Sequence, residues 1–490
     1  MDYSAVVEAL YERHRSVRDA GFSGDAYKPG LDAMLSYTGF LGHPERQFRT
    51  VHVAGTNGKG SVCSMLAAAL AARGLRVGLY TSPHLVDFRE RIKIIAAPVA
   101  AAAKRPLCHP EEAAVLCHPE EAAVLCHPEE AAVLCHPEEA QADEGSLMAG
   151  SFPSATMISR EDVCDFLERY DREGLTFFEV TTGMAFWWFA EQKVDVAVIE
   201  TGLGGRLDST NIITPELSVI TSIGLDHCDL LGSTRAGIAA EKAGIFKPGV
   251  PALVWGRDSE TQPVFERIAA QAGAPLFFAE DFPAALAFAS QGEPPETSAS
   301  LHLDLTGPCQ DLNLRTVLAA LTLLPQLQSQ VADAAELAAI ANAARITGLR
   351  GRWEQLLADP LTICDIGHNP PALAANSARL EQLRRQVNDN TFYRPLLVVY
   401  GAMRDKDVDD IKHYLPQDAE YFLVQPRTAR AMPLEELALK LKSFNCTVAG
   451  SVKQGVQKAL ERAKQLPGAI VYIGGSTYVV SEAIMYMESI

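Results

Sequence analysis

The sequence predicts an α/β protein with two mostly parallel sheets, one in each of two domains. Three observations point there. At 490 residues the chain is longer than one ordinary core accommodates. Short apolar, β-branched runs alternate with turns and helix-like segments, the pattern of strands covered on both faces. That alternation also comes in two series, separated by Ala344–Trp353 (ARITGLRGRW), which reads as a linker.

The first series is Arg49–Ala54 (RTVHVA), Arg76–Thr81 (RVGLYT), Val194–Glu200 (VDVAVIE), Leu217–Ser222 (LSVITS) and Pro251–Trp255. The second is Leu361–Asp365 (LTICD), Pro395–Tyr400 (PLLVVY), Tyr421–Val424 and Ala469–Ile473. The expected domains are therefore 1–346 and a smaller 350–490. One region breaks the alternation. Residues 107–140 read LCHPEEAAV three times and then LCHPEEA. Nine residues turn a helix by about 900°, so successive copies would face opposite sides. Nine is also odd, so in a strand alternate copies would flip face. Proline in every copy interrupts either element. Adjacent Cys and His suit one metal ion poorly, and the nine-residue cysteine spacing matches no zinc signature. The expectation is an acidic insert without regular structure, from about Ala96 to Thr156. That span holds ten acidic residues and two basic ones, −8 of the total −18.

The net charge of −18 argues against general nucleic-acid binding, which needs a basic footprint. Anionic substrates would have to be drawn in by local cations, backbone amides and metal ions. No stretch reaches the ~18 apolar residues of a membrane span. MDYSAVVEALYERH carries acids early and has no apolar signal core, so a cytoplasmic location is expected. The six cysteines outside the repeat (Cys63, Cys164, Cys228, Cys309, Cys364 and Cys446) lie mostly among apolar neighbours and read as reduced core thiols.

The strongest local signal is Gly55-Thr56-Asn57-Gly58-Lys59-Gly60-Ser61, which follows a strand and opens a helix expected over Ser61–Ala72. A strand, glycine loop and helix start point backbone N–H groups at a phosphate. Lys59 would reach the terminal phosphates. The spacing departs from G-x-x-x-x-G-K-[ST]: Val53 takes the first glycine position and Gly60 intervenes before the serine. An ordinary glycine-rich turn is the bland alternative. Glu200 ends an apolar strand, where a carboxylate supporting Mg²⁺ belongs. His227 follows the next strand in the same way, although a lone histidine more often serves as a structural hydrogen-bonding group.

HVAGTNGKGSV, LYTSPHL with RERI, FFEVTT, VIETGLGGRLDSTN, IGLDH, AAEKAGIFK and ICDIGHNP occur together and in order, followed by GRWE, YGAMRDKD and IGGSTYVVSEA. This set resembles the folylpolyglutamate synthase family, including its bifunctional dihydrofolate synthase form, within the Mur ligase superfamily. The resemblance covers the chain outside the repeat, and GTNGKGS with TSPHL separates this branch from the cell-wall ligases. It implies a Mur-ligase-like P-loop ATPase domain with a mostly parallel sheet and a smaller Rossmann-like C-terminal domain. It implies an ATP-dependent ligase that adds L-glutamate to dihydropteroate, to folates, or to both through an acyl phosphate. A cytoplasmic monomer without membrane or nucleic-acid partners is expected.

Residue by residue, the resemblance implies that Asn57, Gly58, Lys59, Gly60 and Ser61 form the ATP phosphate loop. Asn313, Arg352 and Asp365 make more distal ATP contacts. Ser82, Glu200 and His227 match magnesium ligands, and two ions are expected. Lys242, in EKAGI, matches a lysine that becomes N-carboxylated and so gains anionic oxygen ligands; composition alone would make it a surface lysine. Lys59, His227 and Lys242 are the implied catalytic residues. Thr176, Phe177, Phe178 and Glu179, with Leu207, Asp208 and Ser209, match pterin-contacting segments, with packing at a helix start the alternative for Phe177. Asn313 departs in context, because Cys309 replaces the usual histidine of Gly-x-His-Gln-x-x-Asn. A P-loop kinase would explain the loop and Glu200 but leaves Lys242, TSPHL and the second domain without a role. A cell-wall ligase would need a nucleotide-sugar domain for which the N-terminal segment has no room. A non-catalytic nucleotide-binding descendant would not need the metal and phosphate residues, all of which are present.

Overall fold

The computed structural model describes residues 2–14, 30–97, 152–282, 301–324, 333–385 and 393–490. The described chain builds two sheets. The first has eight strands in the order β4-β3-β2-β5-β1-β6-β7-β8. These are β1 Arg49–Ala54, β2 Val77–Tyr80, β3 Ile92–Ala96, β4 Ser154–Met157, β5 Val196–Glu200, β6 Leu217–Ile220, β7 Ala252–Val254 and β8 Leu276–Phe278. Only β3 runs antiparallel to its neighbours β2 and β4. The second sheet has six strands in the order β13-β12-β11-β14-β10-β9. They are β9 Glu354–Leu357, β10 Leu361–Cys364, β11 Leu396–Tyr400, β12 Glu420–Val424, β13 Asn445–Gly450 and β14 Ile470–Gly474. Here β9 is the antiparallel member.

The apolar runs read from the sequence become β1, β2, β5, β6 and β7, then β10, β11, β12 and β14. Each parallel strand must bury both faces, and the cores show this. On one face of the first sheet, Val51, Val53, Val198 and Val219 pack under the helix Lys59–Ala72 and the helices Gln310–Leu323 and Ala334–Ala341. On the other, Ala197 and Ile199 meet the helix Phe177–Glu191 and the helices Tyr3–Arg13 and Asp32–Phe40. The second sheet is covered likewise, by Leu373, Leu380 and Leu437 on one face and by Val452, Val456, Val480 and Ile484 on the other. In Lys59–Ala72 every residue from Gly60 to Ala71 is buried. Its alanines let the flanking elements approach closely, which makes it the central helix of the first domain.

The expected linker begins later than its sequence suggests. Ala344–Thr347 belongs to the helix Ala343–Thr347, whose Ala343 and Ile346 pack into the first core. The crossing itself is Gly348–Trp353. Of the six cysteines outside the repeat, Cys63 and Cys364 are buried, but Cys228 is exposed at the start of a short helix. The core-thiol reading therefore holds for only part of the set. Among the described residues no helix is long and apolar enough to cross a membrane.

The repeat 107–140 lies outside the described residues, but its flanks do not. Ala96 on β3 and Ser154 on β4 are cross-strand partners. The expected insert boundary at Thr156 falls inside β4, whose pairing with β3 the sequence reading missed. Phe152 also packs on the first core, under the guanidinium of Arg345 at 4.8 Å. Because the chain leaves and rejoins at adjacent positions, a hairpin turn of about four residues would be enough to connect β3 to β4 in a shortened chain. Replacing 98–151 with a short Gly-Ser turn is expected to leave unfolding stability within about 1 kcal/mol of the parent and nucleotide affinity unchanged. Replacing 97–156 should lower the melting temperature clearly, because it strips β3 of β4, one of its two partners. A collapsed 98–151 deletion, or two deletions that melt alike, would contradict this account.

Candidate active site

The carboxyl ends of parallel strands are where an open α/β sheet leaves a crevice. Here the ends of both sheets open onto one cavity of about 650 Å³. From the first sheet it is lined by the loops after β1 (Thr56–Ser61), β2 (Ser82), β5 (Glu200, Gly202) and β6 (Ser222–His227). From the second come the loops after β10 (Asp365–Asn369), β11 (Met403, Asp405, Lys406) and β14 (Gly475–Tyr478).

The glycine loop turns into the helix Lys59–Ala72 at Gly58, whose φ of 89° is left-handed. A Cβ there would also lie 2.3 Å from Asn313 Oδ1. Only glycine satisfies both constraints. Lys59 Nζ donates to Gly55 O (3.1 Å) and Thr56 O (3.4 Å) and stands 3.9 Å from Glu200 Oε1. Glu200 is buried, and its Oε2 accepts from the Ser82 backbone N–H at 3.1 Å. Burial raises the pKa of this carboxyl, against the pull of Lys59, the Ser82 N–H, Arg352 and Arg91. Arg352 arrives from the crossing segment and lies against the start of the phosphate-loop helix. A Cβ on Gly60 would be 3.4 Å from its guanidinium.

Ser61 Oγ accepts from Gln310 Nε2 at 3.3 Å, and Gln310 in turn accepts from Asn313 Nδ2 at 2.9 Å. Cys309, where the resemblance leads one to expect histidine, lines the same wall. Asp365 is tied to the Trp353 and Gly367 backbone and to Asn376 Nδ2, so its orientation is fixed.

Glu200 and Ser82 are hard oxygen donors of the kind Mg²⁺ takes. His227 faces the same space with a left-handed φ of 52°, unusual for a residue with a side chain. Burial lowers its pKa to about 4, with Lys406, His368 and Lys59 adding to the effect and Asp226 opposing it. It therefore presents a neutral imidazole near pH 7. Among the described residues no group of three or more His, Cys, Asp or Glu is placed to hold a metal. A Mg²⁺ held by this set would take few protein ligands and complete its shell with water and phosphate oxygens, as that ion prefers.

Two residues named from the sequence stand outside the cavity lining. Lys242 is buried behind the loop, its Nζ donating to Gly55 O at 2.8 Å. Glu179 turns inward: its Oε2 accepts from Thr176 N at 2.7 Å while Thr176 Oγ1 accepts from Glu179 N. That reciprocal pair is a capping box for the helix Phe177–Glu191, so the Glu179 carboxylate is committed to the fold. The two phenylalanines also part company. Phe177 is stacked by Tyr11 at 4.9 Å and approached by the Arg91 guanidinium at 5.2 Å, and it is buried. Phe178 is half-buried and rests against Gly202, where a Cβ would come within 2.5 Å of its ring. Phe178 and Leu207 give the cavity an apolar stretch of lining, and Ser209 adds a hydroxyl to the same lining. Asp208 also lines it, but its carboxylate accepts from Leu203 N and Thr210 N and so shapes the loop.

The sequence reading missed the contacts that join the two halves. Asn57 and Asn369 exchange amide hydrogen bonds of 3.0 Å. Asp226 accepts from Asn369 Nδ2 (3.0 Å) and from Lys406 Nζ (2.9 Å). Burial alone would raise its pKa, yet His227, His368 and Lys406 hold it well below the usual carboxylate range. They lie in GTNGKGS, IGLDH, ICDIGHNP and YGAMRDKD, which mark the residues but not their partners across 143 to 312 positions.

Residues 351–477 match the family described as Mur ligase, glutamate ligase domain. The chain is 30% identical over 485 residues to a dihydrofolate synthase/folylpolyglutamate synthase of Haemophilus influenzae, covering 93% of each chain. It is 31% identical over 460 residues to a folylpolyglutamate synthase of Lacticaseibacillus casei, covering 90% of each. Among solved structures, it superposes on the Mycobacterium tuberculosis folylpolyglutamate synthase complexed with ADP with a TM-score of 0.73 at 25% identity, covering 99% of this chain and 98% of that one. A bifunctional folylpolyglutamate synthase/dihydrofolate synthase from Yersinia pestis, complexed with AMPPNP and a Mn ion, gives 0.70 at 26% identity with the same coverage.

Proposed function

The chain belongs to the folylpolyglutamate synthase/dihydrofolate synthase family of ATP-dependent glutamate ligases, and from that premise we propose that it joins L-glutamate to dihydropteroate, to a reduced folate, or to both. The observation that carries this reading is the composition of the cavity at the ends of both sheets. It combines a phosphate loop with Lys59, an apolar wall ending in Phe178, and a second-domain wall with Lys406, Arg430, Ser476 and Thr477.

The acceptor's ring system lies against Phe178, Leu207 and Ser209, with its carboxylate directed at the phosphate loop. The carboxylate oxygen takes the γ-phosphoryl group, giving an acyl phosphate and ADP. The amine of glutamate, held at the second-domain wall, then forms the amide bond as phosphate leaves and the ammonium proton is lost. Two Mg²⁺ ions would supply charge neutralisation along the phosphates. Asn57, Gly58, Gly60 and Ser61 bind those phosphates through backbone N–H groups and the helix start. Lys59 and Arg352 carry the cationic charge that stabilises the transferring oxygens. Ser82, Glu200 and His227, with Lys242 once carbamylated, are the residues that would hold the Mg²⁺ ions. Asn313 and Asp365 hold the nucleotide's far end. Asn57–Asn369 and Asp226–Lys406 bring the second domain down over the loop, which excludes water from an intermediate that it would hydrolyse.

The test is phosphate release by the purified protein with ATP, Mg²⁺ and glutamate while the acceptor is varied. Release dependent on dihydropteroate shows the synthase step, and release dependent on tetrahydrofolate the polyglutamate step. Release driven only by a UDP-muramyl acceptor, or independent of any acceptor, would overturn the reading.

A further inference from the structure

A lysine in the middle of a sheet needs a reason. Lys93 occupies β3 between Ile92 and Ile94, paired to Leu79 on one side and Met157 on the other. Ile92 and Ile94 point into the core shared with the helix Phe177–Glu191. Alternation sends Lys93 and Ile95 to the opposite face. There the Lys93 side chain is buried, and its desolvated ammonium has a pKa lowered to about 8. It is met by carbonyls: Nζ donates to Thr347 O at 2.7 Å and approaches Gly348 O at 3.4 Å. Glu90, the acid that acts on it from a distance, is committed to the backbone N–H groups of Leu85, Val86 and Asp87.

Thr347 ends the helix Ala343–Thr347, and Gly348 follows it with a left-handed φ of 66°. Lys93 therefore satisfies the orphan carbonyls at the point where the chain leaves the first domain. The far end of the crossing is also tied. Arg350 Nε donates to Glu354 Oε1 (2.5 Å), Gly351 N to Glu354 Oε2 (2.7 Å) and Trp353 N to Asp365 Oδ2 (2.9 Å). Arg352 sits between these anchors, with its guanidinium beside Gly60.

We propose that Lys93 is a positioning residue: it fixes the exit of the interdomain crossing so that Arg352 lands on the phosphate loop. The proposal rests on the reading of Arg352 as a phosphate contact. A displacement of about 1 Å at a catalytic group costs up to roughly a hundredfold in rate, so loosening one anchor has a measurable effect far from the chemistry.

The experiment is a double-mutant cycle in the full chain, with Lys93→Met and Arg352→Gln. ATP-dependent ligation (kcat and the KM for ATP), binding of ADP and thermal melting are measured on each protein. Lys93→Met is expected to lower kcat/KM for ATP by roughly ten- to a hundredfold, with no comparable change in the KM for glutamate. In the Arg352→Gln background it should add little, because both changes disturb one contact. Lys93→Gln, which retains a donor toward Thr347 O, is expected to recover most of the loss. If Lys93→Met fails to fold, Lys93→Ala, which also lacks the donor toward Thr347 O, replaces it in the cycle and must show the same non-additivity. Unchanged kinetics in Lys93→Met beside an impaired Arg352→Gln refute the tether alone, as does a fully additive cycle. Unchanged kinetics in Arg352→Gln refute the phosphate role of Arg352 itself.

Discussion

Lys59→Ala is expected to lower the ligation rate by about a thousandfold or more while the protein stays folded. The side chain is 18% exposed and its ammonium is held by two backbone carbonyls of its own loop, so its removal leaves no core cavity. Those carbonyl contacts are the kind a lysine exchanges readily for phosphate oxygens when nucleotide enters. Lys59 is also one of the cations that counter burial at Glu200. Losing it removes positive charge both from the transferring phosphoryl group and from beside an acid meant to stay ionised. Lys59→Arg should recover little, because a planar guanidinium does not reproduce a compact ammonium inside a tight loop. The measurement is single-turnover formation of ADP, with circular dichroism to show that each variant is folded. Near-normal ligation by folded Lys59→Ala would remove the phosphate-loop assignment.

The residues that could be read in advance share a physical property: their chemistry is local. RTVHVA followed by GTNGKGS is legible because strand, turn and helix start are neighbours in sequence, and their periodicity and glycines report directly on backbone shape. Glu200 and Asp365 are legible as strand ends for the same reason. What stayed hidden depends on partners far along the chain. The strands β3 and β4 look unlike the buried parallel strands, since the antiparallel edge carries a lysine and SATM rather than an unbroken apolar run. Glu179 and Phe177 sit inside a motif that points to substrate. Which of TFFE faces the cavity depends on the capping box and on Tyr11, which lies 166 positions from Phe177 in another helix. The Asp226–Lys406 pair spans 180 positions, and no pattern within either loop announces the other. The two domains were visible as two series of strands. Their closure over one cavity was visible only once the strand ends met.

Lys242→Ala is expected to reduce ligation by at least about a hundredfold, and the reason lies in a shared carbonyl. Gly55 O accepts from Lys242 Nζ at 2.8 Å and from Lys59 Nζ at 3.1 Å. Two ammonium groups on one oxygen repel each other, and Lys242 is the more deeply buried of the two. Burial first, and Lys59 second, lower its pKa to about 7. Near neutral pH a substantial fraction is therefore the free amine, the form that adds to CO₂. In that addition the neutral nitrogen forms a bond to the carbon of CO₂ and loses one proton, so the amine becomes a carbamate of charge −1; the ammonium form must first give up a proton of its own. The like charges on Gly55 O are thereby replaced by an anion facing Lys59, and two oxygens become available to a divalent ion. Alanine supplies neither the oxygens nor the charge. Acetate or formate at high concentration should restore part of the activity of Lys242→Ala and none to Lys59→Ala, because only the former lacks a carboxylate. Labelled CO₂ should give a carbamate carbon resonance in the parent that is absent from Lys242→Ala. An active Lys242→Ala enzyme would dismiss the residue from the mechanism. A free amine in a high-resolution map of the active, metal-loaded parent would leave the lysine in place but exclude its carbamylation.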